Sequence, residues 1–404
     1  MRKLLAAPTE MNLSASDNQH YQNALKFVPD ITLNLMAVKV DERATDFLSW
    51  CLQLLDICHS QLNMDLLEPE QLPVLEKFKS ALAAAVSQNQ IKMLRITPWP
   101  MFVGFIKQNA AGLAITERLR LLKHLASIKS QPLADMINED RLAFAGKHTQ
   151  QHDVSVYNYD VEWFGSTKAA RAFHQLLNQI PEQFDKALDN IPLEGEVTQD
   201  HYQAFVIAYL QIFANNLPEE KPSLPAATRL LAMRRPDVFV VISNNKIDAL
   251  CNGLSIGKFN NRDFQAYWQD LITCIQSCPW WRAPCPEIDH ETSEESESEH
   301  LDETTLWRNR AILVDLFFYY SPDSAEKSNY LLLKNKPARA KSSATTTGSK
   351  RTRSKESIEV LVDRALAADD IPAYLKDKRE SIISQVNAGK SVDQVISLLR
   401  SIFG

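Results

Sequence analysis

The stretch ATRLLAMRRPDVFVVISNNKIDALC, residues 227–251, decides the fold. Its helical pattern ends at the Arg-Arg-Pro of residues 234–236, because a proline disfavours helix in the residue before it. An apolar, mostly β-branched run, Val238 to Ile242, then leads into a polar Ser-Asn-Asn-Lys turn. We expect a helix to resume at about Asn245, with Ser243 or Asn244 as its N-cap. The stretch therefore predicts a helix, a short extended segment and a second helix.

The composition favours a mainly α protein. Only 10 of the 404 residues are Gly, and neither GxxxxGK[ST] nor GxGxxG occurs. A glycine-rich phosphate loop and a doubly wound sheet are therefore disfavoured. The formal net charge is −6, so any binding of nucleic acid has to come from local basic patches.

The sequence predicts a reduced, cytoplasmic protein without a membrane partner. The six cysteines are irregularly spaced, unlike a secreted disulfide framework. The apolar part of MRKLLAAPTEMNL is too short for a signal peptide. No stretch reaches ~18 consecutive apolar residues. We expect no cofactor and no metal.

Helical periodicity and composition predict a multi-domain helical protein. Pro-rich connectors and charge runs mark the boundaries: residues 287–303 hold nine Asp or Glu and no Lys or Arg, and residues 334–355 hold eight Lys or Arg and no acid. The predicted parts are a loosely ordered N-terminus (1–30), an N-terminal helical region (31–165), a central helical domain (166–330), a basic flexible linker (331–356) and a small C-terminal helical domain (357–404).

Residues 217–320 contain three segments in a suggestive order. SLPAATRLLAM is followed by VFVVISNNKIDAL and then by RNRAILVDLFFY. This order resembles the helix-hairpin-helix DNA glycosylase superfamily, the relatives of endonuclease III. The resemblance implies a hairpin and helix, a segment bearing the catalytic Asp, and a later helix. It covers about a quarter of the chain.

The departures from that family concern its chemistry. Ser243 stands where the family has its catalytic Asp, and a neutral hydroxyl cannot stabilise an oxocarbenium-like centre without a partner. Ala226 and Ala227 stand near the hairpin glycines, which let backbone N–H groups approach a DNA phosphate. The lysine nucleophile of the bifunctional members has no counterpart. If the fold is right, glycosylase activity is lost.

We expect the nucleic-acid contacts to come from the decisive stretch, a Trp-Trp-Arg cluster and the basic linker. Arg and Lys neutralise phosphates, and aromatic rings stack on bases. The alternatives are that the tryptophans pack a domain edge and that the linker is only solvated. The candidates are Arg229, Arg234, Arg235, Ser243, Asn244, Asn245, Lys246, Trp280, Trp281, Arg282, Lys350, Arg351 and Arg353.

Several weaker patterns admit an enzyme. One irregular segment holds His148, His152, Asp153 and Asp160, which could form a metal or catalytic site. The alternative is that this segment is only a solvated polar loop. Arg118 and His124 have the loose spacing of HEPN-type ribonucleases, although a packing helix explains them equally well. Asp237 with Lys246 resembles a PD-(D/E)xK nuclease, but Asn244 replaces its second acid.

Two further features have a simple structural alternative. Cys274, Cys278, Cys285 and His290 offer zinc ligands, but their spacing matches no standard knuckle and buried free cysteines are common. Asp315 falls away from the apolar face of its helix, so we expect a solvent-facing or capping residue. A site role is the alternative, since a partly buried carboxylate would be perturbed.

The first functional hypothesis is a non-enzymatic nucleic-acid-binding or scaffolding subunit. It would work with a protein partner, as in bacterial genome-defence or repair assemblies, on a fold-level analogy. The alternatives are an enzyme acting on DNA or RNA, and a protein-interaction module without nucleic acid.

Overall fold

A computed structural model describes residues 11–40, 44–287, 301–335, 358–367, 371–387, 392, 395 and 396. The fold is mainly α, as predicted, and the described residues contain no strand. Two compact units, Met1–Pro337 and Ala338–Gly404, divide the chain. None of the helices in the described ranges is long and apolar enough to cross a membrane.

The first unit contains seventeen α-helical segments among its described residues. They are α1 Ala15–Leu25, α2 Val28–Met36, α3 Phe47–Asp56, α4 Leu72–Leu94, α5 Trp99–Gln108, α6 Ile115–Ile128, α7 Asn138–Ala145, α8 Arg171–Gln179, α9 Pro181–Leu188, α10 Gln199–Asn216, α11 Leu224–Arg234, α12 Ile247–Leu254, α13 Phe264–Ala266, α14 Thr273–Ser277, α15 Pro279–Arg282, α16 Glu303–Arg308 and α17 Asn329–Lys334. π-helical turns follow α3 (Ile57–Gln61) and join α13 to α14 (Tyr267–Ile272). 3-10 turns cover Met64–Leu66 and Ile312–Phe317.

The N-terminal lead-in is ordered from residue 11, which corrects the prediction of loose order for residues 1–30. Ser14 and Asp17 form a capping box at the start of α1, and Tyr21 and Ala24 are buried. A capping box satisfies two backbone N–H groups at a helix start. The polar composition concealed this helix, because only two of its side chains enter the core. Residues 1–10 lie outside the described part.

Two hydrophobic cores lie within the first unit. One gathers buried side chains from Met11 to Val86, and the other runs from Ile91 to Phe318. Helix α4 contributes to both cores. The predicted regions 31–165 and 166–330 share the second core, so no separate core divides them at residue 165.

The decisive stretch folds nearly as predicted. Helix α11 ends at Arg234, and α12 begins at Ile247, two residues later than expected. The apolar run is buried without forming a strand: Thr228 Oγ1 accepts a hydrogen bond from the N–H of Ile242, and Val240 O accepts one from Tyr267. Ser243 and Asn244 do not cap α12, because its N-cap position is Lys246.

The later helix expected for the segment RNRAILVDLFFY is interrupted. Helix α16 ends at Arg308, and a 3-10 turn replaces the α-helix from Ile312. The N–H of Ile312 donates to Pro236 O at 2.9 Å instead of to its own helix. The break therefore ties this segment to the decisive stretch.

The second unit is described over three helices, α18 Ile358–Leu366, α19 Ala373–Lys376 and α20 Arg379–Asn387. A small core joins them through Val362, Leu366, Leu375 and Ile382. Arg379 Nε lies 2.6 Å from Asp363 Oδ1 across this unit. Of the predicted linker, residues 331–356, the first four belong to α17 instead, and residues 336–356 lie outside the described part.

Gly165, in the loop after α7, allows the backbone of that loop to lie close against Val241 of the decisive stretch. Its φ is +126°, and an added Cβ would lie 2.5 Å from Val241 Cγ1 in the decisive stretch. We expect Gly165→Ala to lower the free energy of unfolding by about 2–3 kcal/mol, since both the φ and the contact oppose a side chain. Gly104→Ala is the matched control, because nothing lies within 4 Å of its Cβ position inside α5. That control should stabilise by about 0.5–1 kcal/mol, and urea unfolding of both variants checks the pair; equal effects would contradict the close approach.

Candidate nucleic-acid interface

Arg229 is a structural residue, which corrects its prediction as a nucleic-acid contact. Its side chain is fully buried, and burial lowers the pKa of its guanidinium to about 9. Its donors are consumed by the end of α7 and by the loop after it. The acceptors are the backbone carbonyls of Ala143 (2.9 Å), Phe144 (3.1 Å), Val161 (3.0 Å) and Trp163.

Lys246 is also held inside, in an ion cluster around Asp315. Asp315 is buried and accepts from Lys246 Nζ (2.5 Å), Arg118 Nη1 (3.1 Å) and the hydroxyl of Tyr320. The expectation that Asp315 faces solvent is wrong, because the 3-10 turn points it toward these cations. Burial opposes the charge of Lys246, but Asp315 and Tyr320 raise its pKa. The amine therefore stays protonated and is not a nucleophile.

Three other candidates from the same set bond within the protein. Arg234 Nε donates to Ile191 O at 2.9 Å, and Arg235 binds both carboxylate oxygens of Asp237 at 2.8 and 2.9 Å. Trp280 is fully buried, and its indole N–H donates to Leu94 O. For these residues, too, an internal partner replaces the predicted phosphate or base.

The remaining candidates are accessible or lie outside the described residues. Asn244 and Asn245 are exposed and Ser243 is half-buried, with Ser243 Oγ 2.7 Å from Asn245 Oδ1. Arg282 is exposed and Trp281 is half-buried. The linker residues Lys350, Arg351 and Arg353 are not among the described residues.

The four residues proposed for catalysis in the irregular segment have internal roles. His152 is buried, with Nε2 3.0 Å from Glu139 O, and burial and His152 lower the pKa of His148. Asp160 accepts from the N–H of Asn329 at 2.7 Å. Asp153 is exposed and accepts from Ser155. The His and Asp residues thus hold the loop rather than face a common cleft.

The other enzyme patterns do not converge either. Arg118 pairs with Asp315 while His124 pairs with Asp140 at 2.8 Å, so the HEPN-type arrangement is not formed. Asp237 binds Arg235, whereas Lys246 binds Asp315, which separates the nuclease pair. Among the described residues no three His, Cys, Asp or Glu side chains group as metal ligands, and His290 lies outside them.

Three of the predicted residues meet in one surface groove. We call it the arginine groove; its volume is about 620 Å³. Arg235, Trp281 and Arg282 line it together with Arg310, which is buried. Thr198, the N-cap residue of α10, forms another wall. The groove therefore combines guanidinium groups, an indole and a helix N-terminus.

A second groove of about 580 Å³ carries the other basic residues. We call it the lysine groove; Arg120, Lys123 and Lys129 line it from α6 and its end. Arg308 lines it from α16, with Asp302 as its acidic residue. Lys123 and Arg308 are exposed, and neither forms an ion pair with a described residue. Both are therefore available to an anion.

The two grooves border the same chain segments. Pro236 lines the lysine groove, whereas its neighbours Arg235 and Asp237 line the arginine groove. Arg308 and Arg310 divide between the grooves in the same way. Seven Lys or Arg and three Asp or Glu line the pair, in a chain with a net charge of −6. A basic surface thus lies on an acidic protein, and the decisive stretch contributes Arg235 to it.

Five residues of this surface escaped the sequence analysis: Arg120, Lys123, Lys129, Arg308 and Arg310. Arg120 and Lys123 are three residues apart on α6, which places them on neighbouring positions of one helix face. Arg308 and Arg310 flank a helix end beside Trp307. The first pair was detectable as a basic face. The pairing of α6 with residues 308–310 depends on tertiary packing, and no local pattern contains it.

No protein-family model, no curated protein and no solved structure matches this chain. The geometry of the grooves and clusters therefore carries the functional argument.

Proposed function

We propose that this chain is a non-enzymatic nucleic-acid-binding or scaffolding subunit, and that the arginine and lysine grooves form its interface. The observation that carries the proposal is that seven Lys or Arg line two adjoining grooves in an acidic chain, and that Arg235 is the one among them paired with a carboxylate of the described residues. Lys and Arg neutralise phosphates and release counterions, which supplies affinity without sequence specificity. Trp281 adds an aromatic surface on which a base can stack.

The resemblance to helix-hairpin-helix glycosylases stays part of the proposal as a fold relationship. The order of α11, the buried apolar run and α12 supports it. The hairpin position is a poor phosphate site here, because Ala226 and Ala227 are buried. We therefore place the interface at the grooves, and the neutral Ser243 supports a binding role over excision.

A second candidate, a protein-interaction module, has one observation in its favour. An apolar groove of about 340 Å³ adjoins the arginine groove through Gln199 and Trp268. Ile207 lines it and is 65% exposed. An exposed aliphatic residue in a groove suits a protein partner. A partner protein at this groove is compatible with the first candidate.

Charge reversal in the lysine groove tests the proposal. We expect Lys123→Glu with Arg308→Glu to weaken binding of a 20-nucleotide single strand and its duplex by roughly tenfold, because two phosphate contacts become repulsive. The salt dependence of log Kd should fall by about two counterions. Fluorescence anisotropy on the full chain at two salt concentrations measures both quantities.

The matched control reverses two exposed lysines of α4, Lys77→Glu with Lys92→Glu. It makes the same change in net charge away from the grooves, so its affinity should stay within about twofold of the wild type. Equal losses in both double variants would mean that the whole-molecule charge, not the grooves, controls binding. A wild-type chain that binds neither strand nor duplex would refute the proposal.

A further inference from the structure

The arginine groove contains a buried cation, Arg310, with which no carboxylate of the described residues forms an ion pair. Arg310 is 6% exposed, and its guanidinium lies between the rings of Trp281 and Trp307, 4.8 and 4.1 Å from their centres. Its Nε donates to Trp281 O at 3.0 Å and its Nη1 to Trp307 O at 2.9 Å. Among the described residues, none accepts a hydrogen bond from Nη2. The Nε and Nη1 bonds thus fix the direction of the guanidinium, and Nη2 is the donor group without an acceptor in the described part of the chain.

The acidic residues of the groove do not neutralise Arg310. Asp237 is bound through both oxygens by Arg235, and Glu196 is exposed at the edge. Burial lowers the pKa of Arg310; Asp237 opposes this shift and Arg235 adds to it. A buried charge without a counterion is costly, so an anion in the groove would offset that cost.

Two further groups in the groove suit an anion with several oxygens. Arg282 is exposed, and its Nε donates to Gln276 O at 3.0 Å. Its two terminal nitrogens have no acceptor among the described residues, and the side chain lines the groove. Thr198 and Gln199 bring the N-terminus of the 18-residue helix α10, where the helix dipole favours negative charge. Trp268 and Trp281 complete the lining with aromatic surface.

We propose that the arginine groove binds the terminal phosphate monoester of a nucleic-acid strand. Arg310 and Arg282 hold the phosphate, and the tryptophans pack against the terminal nucleoside. The inference rests on the proposed function and adds which part of the strand this groove takes. A monoester carries about −1.5 to −2 charges at pH 7 and three free oxygens, which suits two guanidinium forks better than a singly charged diester. A terminal phosphate is attached to a sugar on only one side, so the end of a strand can reach the buried Arg310 with less bulk than an internal phosphate.

Matched 12-nucleotide single strands test the inference. We expect the full chain to bind the strand with a terminal phosphate about tenfold more tightly than the same strand with hydroxyl ends. Strands phosphorylated at the 5′ or the 3′ end decide which end is bound, and a preference for either supports the inference. Arg282→Gln and Arg310→Lys should each reduce the preference to about threefold or less. Arg310→Lys keeps the charge and loses the fork, and its melting curve verifies that it folds.

Arg308→Gln in the lysine groove is the control. It should weaken all strands alike and leave the preference for a terminal phosphate unchanged. Equal affinity for all three strands would overturn the inference and leave the proposed function standing. Failure to bind any strand would overturn both. A preference that survives both Arg282→Gln and Arg310→Lys would overturn the assignment to this groove.

Discussion

Arg229→Met should lower the free energy of unfolding by about 3–5 kcal/mol. The guanidinium is the donor for four backbone carbonyls at the end of α7 and in the loop after it. Leaving buried acceptors without a donor costs about 1–3 kcal/mol for each group. Release of the buried charge offsets part of that loss, so the net effect is smaller than the sum. Urea unfolding followed by tryptophan fluorescence measures the change.

Arg171→Met on α8 is the control for the loss of an arginine, because Arg171 is exposed. Its effect should stay within about 0.5 kcal/mol. Arg229→Lys keeps the charge, but its single amine cannot donate to all the carbonyls that the planar guanidinium reaches. It should therefore recover only part of the lost free energy of unfolding. If Arg229→Met left the free energy of unfolding unchanged, solvent or rearranged donors would have to reach these carbonyls.

Asp315→Ala should destabilise the first unit by about 3–5 kcal/mol. The substitution leaves Arg118 and Lys246 close together and without their shared carboxylate. Removing one partner of a buried ion pair is costly because the remaining charge stays desolvated. Adding Lys246→Met to Asp315→Ala should restore part of the stability, since one of the two uncompensated cations is removed. An additive double variant would argue against the coupling.

The environment of Asp315 also predicts how the stability of the first unit depends on pH in the acid range. Burial alone would raise the pKa of Asp315, but Lys246 and Arg118 lower it to about 2. Because the pKa in the folded state lies below the unfolded value of about 3.9, the ionised carboxylate stabilises the folded state, and this contribution is complete at a pH above about 3.9. The contribution disappears as the pH falls from about 4 to 2. Asp315→Asn should therefore flatten the loss of stability between pH 4 and 2 relative to the wild type, and an unchanged profile would contradict this assignment.

The local pattern predicted the elements of the decisive stretch but not the partners of its side chains. The proline at 236 and the polar turn gave a helix end and a helix start within about two residues of those observed. Arg229 and Lys246 look like surface cations in the sequence. Their acceptors are 66 to 86 residues and 69 residues away along the chain, respectively. Such distant pairings leave no periodic signal.

The candidate interface was predicted in part for the same reason. Trp281 and Arg282 were identified because aromatic and basic residues adjoin in the sequence. Arg310 was not, because its relation to Trp281 arises only when the two segments pack. The 3-10 turn after α16 also escaped prediction, since its apolar residues fit an α-helix equally well by composition.

Helix α4 couples the stability of the two cores of the first unit, because it contributes side chains to both. Its N-terminal half supplies Leu75, Phe78 and Leu82 to one core, and its C-terminal half supplies Ile91 and Leu94 to the other. A helix that loses packing along half its length loses much of its stability, since isolated helices are marginal in water. Helix α12 of the decisive stretch packs against α4. A chain that began after residue 86 would therefore lose most of the helix that supports α12, so the N-terminal core is needed for the second core as well.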